Sequence, residues 1–100
     1  MHIQFSYKNI DPKDKSFLEE YTDKKINRLQ TLLPGEEFEN SVLEIRAEKF
    51  VKKEAYKVEI HLSAPKEKVL ASEDDHTIME AFDLALDKLV IQLRKIKDKK

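Results

Sequence analysis

The side chains with the clearest capacity for chemistry are cations at helical spacing. Lys88, Gln92, Lys95 and Lys99 fall at successive three- and four-residue steps, which on a helix puts them in a single row. Lys13, Lys24 and Arg28 form a comparable flank upstream. Rows of ammonium and guanidinium donors suit phosphates, whose oxygens accept charge-assisted hydrogen bonds. If the two helices lie side by side, the rows converge on one groove for a polyanion. A solvated helix face explains the same residues, and Arg94, Lys95 and Lys97 also oppose the negative end of a helix dipole. The binding reading gains from cations extending beyond one turn and recurring on a second helix.

Other chemistries find little support. Without cysteine there is no thiolate nucleophile, disulfide or cysteine-bound zinc. His2, His61 and His76 are scattered, with no second histidine at ligand spacing. A chain with one glycine builds no phosphate loop or nucleophile elbow. Glu73, Asp74 and Asp75 resemble a metal cluster on paper, but acids just before an apolar-periodic run are expected at a helix N-terminus, where they cap free amides. The expectation is a protein without catalytic residues, cofactor, metal or small-molecule substrate.

Nineteen basic residues (Lys+Arg 19) against Asp+Glu 20 give a net charge of −1, unlike a generic basic nucleic-acid coat protein. Distribution says more than the sum. From Lys88 onward, Lys88, Arg94, Lys95, Lys97, Lys99 and Lys100 face only Asp98, whereas Glu36, Glu37, Glu39, Glu44 and Glu48 face only Arg46. The molecule should have one basic and one acidic region. No apolar run is long enough to span a bilayer, and the first ten residues alternate polar with apolar rather than forming a signal sequence. A cytoplasmic protein with no membrane partner is expected.

These cations need scaffolding. In residues 2–8 Ile3, Phe5 and Tyr7 alternate with polar neighbours, the two-residue period of a half-buried strand. Asp11 and Pro12 are a cap and a first helical residue, opening a helix over about residues 12–33 that Pro34 and Gly35 stop. Leu18, Ile26, Leu29 and Leu33 form its core stripe, and Lys25 lies near that stripe. After an acidic loop at 36–40, strands are predicted at 41–50, 55–64 and 68–72, the last at an edge. A helix over about residues 75–97 carries Ile78, Phe82, Ala85, Leu86, Leu89, Leu93 and Ile96 on one apolar stripe, with Leu84 and Ile91 opposite. The resulting fold is one α+β domain over 1–100: two layers, β-α-β-β-β-α, with a four-stranded mixed sheet and both helices packed on one face. A helical crossover makes the first strand pair parallel and leaves the others antiparallel.

The element order, and the segment VLASEDDHTIMEAFDLALDKLVIQLRKIKDK, resemble the ribosome hibernation-promoting factors, a family that includes ribosome-associated translation inhibitors and is also described as sigma-54 modulation proteins. The residues carrying the likeness are Ala71, Ala81, Phe82, Asp83, Lys88, Leu89, Gln92, Leu93 and Lys95, with Lys25, Ile26, Arg28 and Leu29 upstream. The resemblance implies binding to the small ribosomal subunit in the channel used by messenger and transfer RNA, silencing idle ribosomes by steric block. It also implies ribosomal RNA contacts by Lys25, Arg28, Lys88, Arg94 and Lys95. The helical wheel adds Lys24, Gln92 and Lys99. Where relatives often have an acidic residue followed by Met-Tyr, this chain has Thr77, Ile78 and Met79. Ending after the helix, it looks like the short type, without the dimerisation domain of long members, and a monomer when free. Two other readings stay open: a protein-interaction module using the sheet face or the Leu84 and Ile91 seam, and a general double-stranded RNA binder.

Overall fold

The computed structural model describes residues 1–98. Strand β1 (His2–Lys8) is followed by the helices α1 (Pro12–Lys25), α2 (Asn27–Gln30) and α3 (Glu36–Glu39). Strands β2 (Val42–Phe50), β3 (Ala55–Ser63) and β4 (Lys68–Asp75) then lead to α4 (Ile78–Asp98). The sheet runs β1-β2-β3-β4. β1 lies parallel to β2 and the other pairs are antiparallel, as the helical crossover requires.

Alternation decides which face is covered. Leu43, Ile45, Val58, Ile60, Leu62, Val69 and Ala71 are buried, while their neighbours Arg46, Ser63, Lys68 and Leu70 stay exposed. Onto that apolar face α4 lays Ile78, Ala81, Phe82, Ala85, Leu86, Leu89, Val90 and Leu93, all buried, over β3 and β4. Each large apolar side chain removed from water there contributes about 1.5–3 kcal/mol. α1 is anchored more thinly: only Leu18 and Thr22 of its residues are buried. It reaches the same sheet face through hydroxyls, Tyr7 donating to Glu19 at 2.6 Å and Tyr56 to Asp14 at 3.2 Å. The two-layer α+β architecture is thus the expected one.

Local chemistry sets the boundaries. Asp11 caps α1, its carboxylate accepting from the Asp14 amide at 2.8 Å, and Pro12 opens the first turn. The helix expected over 12–33 is interrupted at Ile26. Thr22 donates its hydroxyl back to the Leu18 carbonyl at 2.7 Å, a bond that competes with regular helix geometry. Beyond it three-residue bonds, Leu29 to Ile26 and Leu32 to Leu29, both 3.0 Å, mix with four-residue ones such as Leu33 to Leu29 at 2.9 Å. Gly35 sits at φ 53°, ψ −118°, a conformation closed to most side chains, and there the chain turns into α3. The expected acidic loop at 36–40 is therefore a single helical turn.

The largest correction concerns Glu73, Asp74 and Asp75. They extend β4 opposite Val58, Lys57 and Tyr56 rather than capping a helix. Lys57 facing Asp74 is an opposite-charge cross-strand pair that favours the longer strand. The helix expected from residue 75 begins at Ile78, with the Thr77 hydroxyl accepting from the Glu80 amide at 3.1 Å. The helix stripe makes a sharp prediction: Leu89→Ala should cost about 2–5 kcal/mol in urea unfolding, and Ile91→Ala, 52% exposed on the same helix, less than about 0.5 kcal/mol.

Candidate nucleic-acid interface

The sequence-derived cations stand as follows. Lys24 is exposed in the last turn of α1. Lys25 is half-buried with its Nζ 5.3 Å from the centre of the Tyr21 ring, so its stem runs along apolar surface as its place near the stripe implied. Arg28, in α2, places Nη1 2.7 Å from Asp87 Oδ1. Lys88 is paired with Glu73 of β4. Gln92, Arg94 and Lys95 are exposed along α4, and Lys13 is exposed at the start of α1. Lys99 lies outside the described residues.

The rows do not converge on one groove. The seam of α1 and α2 against α4 is closed by carboxylates: Tyr21 donates to both oxygens of Asp83 at 2.8 and 2.7 Å, and Arg28 of α2 holds Asp87. At about 100° per residue, Asp83, Asp87 and Arg94 share the α1-facing flank of α4, while Lys88, Gln92 and Lys95 lie about a third of a turn away on the flank above β4. Leu84 and Ile91, 42% and 52% exposed, form the ridge between them. The physical reason is the rotation of α4, fixed by its buried stripe, which leaves the Lys88 row on the side away from α1. The cationic surface is thus two strips either side of a weakly apolar ridge.

Lys97, part of the same basic run, serves the fold instead. Half-buried, it donates to Glu37 at 2.6 Å and lies 3.4 Å from Glu67, whose side chain is almost fully covered. The hydrogen bond to Glu37 leads the causes that raise its pKa. It fastens the end of α4 to α3 and to the β3–β4 turn. Among the described residues, no ion pair within 4 Å engages Lys24, Arg94 or Lys95.

Sequence reasoning missed the seam. Its signal was present, since Asp83 and Asp87 sit one turn apart at the border of the apolar stripe and Tyr21 borders the stripe of α1. No group of three or more histidines or acids able to hold a metal ion occurs among the described residues. No helix among them is long and apolar enough to cross a membrane.

Over residues 3–100 the chain matches the family model described as Sigma 54 modulation protein / S30EA ribosomal protein, and it belongs to that family. Among solved structures it is similar to the Protein Y N-terminal domain of Thermus thermophilus, at 25% identity and a TM-score of 0.76, covering 96% of this chain and 99% of that one. It is also similar to a ribosomal subunit interface protein from Coxiella burnetii, at 27% identity and a TM-score of 0.75, covering 98% of this chain and 99% of that one. No curated protein matches.

The seam has a pH signature. Burial, then the Asp83 hydrogen bond and charge, push the Tyr21 hydroxyl from 10.0 up to about 12. A folded-state value raised above the unfolded one means this contribution is fully present below about pH 10 and is lost as pH climbs through about 12. In an alkaline titration followed by tyrosine absorbance, Asp83→Asn should move the Tyr21 midpoint part of the way back toward 10. An unmoved midpoint would show that the carboxylate does not hold the hydroxyl.

Proposed function

We propose that this protein binds the small ribosomal subunit in the channel used by messenger and transfer RNA and halts translation by occupying it. The observation that carries the reading is the family match over residues 3–100, supported by the likeness to a protein named for the ribosomal subunit interface. The contacts are assigned to Lys24, Lys25, Arg28, Lys88, Gln92, Arg94 and Lys95, with Lys99 as a further candidate. No covalent step is involved. The work is steric, and the cations supply affinity by releasing counterions from phosphates.

Geometry favours the α4 side over the open sheet face. On that outer face Lys8, Arg46 and Lys57 lie 3.8, 3.0 and 3.3 Å from Glu48, Glu44 and Glu59, so its charges alternate and cancel. On the helical side Lys24, Arg94 and Lys95 are exposed, and none of them has such an ion pair among the described residues. RNA seated across α4 would meet cations on both flanks and the Leu84 and Ile91 ridge between them, an arrangement that fits a folded surface better than a single straight strand.

The test is co-sedimentation of the full chain with small subunits freed of messenger and transfer RNA. Binding should weaken steeply with salt, each phosphate contact adding roughly 0.7–0.9 to the logarithmic slope. The double variant Arg94→Glu with Lys95→Glu should lose more than about tenfold in affinity, as expected for two reversed contacts, with its thermal midpoint unchanged. Undiminished pelleting of that variant would refute the assignment.

A further inference from the structure

Two of the assigned cations already hold an anion, and they lie on opposite flanks of α4. Arg28 Nη1 is 2.7 Å from Asp87, with side chains 38% and 54% exposed. Lys88 meets Glu73, with side chains 56% and 24% exposed. Both pairs join different elements, α2 to α4 and β4 to α4, so neither is a chance encounter of neighbours along one helix. Both are open enough for a solvated anion to exchange with the carboxylate. Exposed pairs of this kind shift equilibria only by about two- to fivefold, which makes them replaceable.

From this geometry we infer that Asp87 and Glu73 are built-in counter-anions that RNA phosphates displace, and that they set how polyanionic a surface must be before the protein accepts it. The inference rests on the proposed RNA-binding reading and adds the specificity determinants of that same surface. A phosphodiester engaging Arg28 must take the place of the Asp87 carboxylate, and one engaging Lys88 must take that of Glu73. A ligand lying along one flank recovers only one cation. A folded RNA that reaches over the ridge recovers both, and Lys24, Arg94 and Lys95 supply the initial attraction. Such screening also reconciles phosphate binding with a net charge of −1, because indiscriminate attachment to nucleic acid is suppressed by the protein's own acids.

The experiment compares the full chain with Asp87→Asn, Glu73→Gln and the charge-matched control Glu54→Gln, whose exposed side chain lies in the β2–β3 reversal. Each is run on a heparin column and pelleted with small subunits at one salt concentration. Asp87→Asn and Glu73→Gln should elute from heparin at higher salt than Glu54→Gln, and each should bind subunits about two- to fivefold more tightly than the unaltered chain. Elution no later than that of Glu54→Gln would reduce the effect to net charge and overturn the inference. Weaker binding with an unchanged thermal midpoint would overturn it too, showing that the carboxylates aim the cations instead. If the unaltered chain fails to pellet with subunits, the ribosomal reading falls, and the heparin comparison alone decides the counter-anion role.

Discussion

The seating of α4 on the sheet is the constraint from which the rest follows. Phe82, Leu86, Leu89 and Leu93 have almost no solvent exposure, and the helix cannot rotate without lifting them off Ile60, Leu62 and their neighbours. Rotation fixed, every other position on the helix has its direction assigned. Asp83 and Asp87 must face α1, Lys88 and Lys95 must face outward above β4, and Leu84 and Ile91 must crown the molecule. Function is written on the faces left over once the core is satisfied.

Electrostatics then divides the labour among like residues. Three tyrosine hydroxyls meet carboxylates at the rim of α1, from Tyr7, Tyr56 and Tyr21, and tie down a helix that buries little of its own. Lys97 is spent on Glu37 and Glu67 at the far end of α4. Arg28 and Lys88 are held loosely, and Lys24, Arg94 and Lys95 are left to solvent. Lysines a few residues apart in sequence thus have different availability to a phosphate, and the difference comes from which carboxylate the fold brings near.

Much of this was legible in the amino-acid sequence, for identifiable reasons. Two-residue alternation located β1, β2 and β3 because one face of the sheet is covered and the other is wet. The stripe from Ile78 to Leu93 was readable because a long helix repeats its burial many times. The acids at 73–75 misled because helix N-termini and polar strand ends attract the same residue types, and only the opposing Lys57 distinguishes them. The break at Ile26 follows one hydroxyl turning back on Leu18, a local bond that an apolar stripe continuing through Ile26 and Leu29 does not announce. The shared groove failed for a more general reason: a wheel shows which residues occupy one flank, but not which neighbour that flank will face. That second fact depends on where α1 docks, and α1 docks through Tyr21, Tyr7 and Tyr56, whose partners lie far away in sequence.

The central claim is that the two flanks of α4, with the end of α1, form the surface that meets ribosomal RNA. Lysine acetylation of the complex with small subunits, read residue by residue by mass spectrometry, tests it most directly. Lys24, Lys25, Lys88 and Lys95 should be protected relative to the free protein, while Lys8 and Lys57 on the outer sheet face keep their reactivity. Protection of Lys8 and Lys57 with the helical lysines still reactive would contradict it.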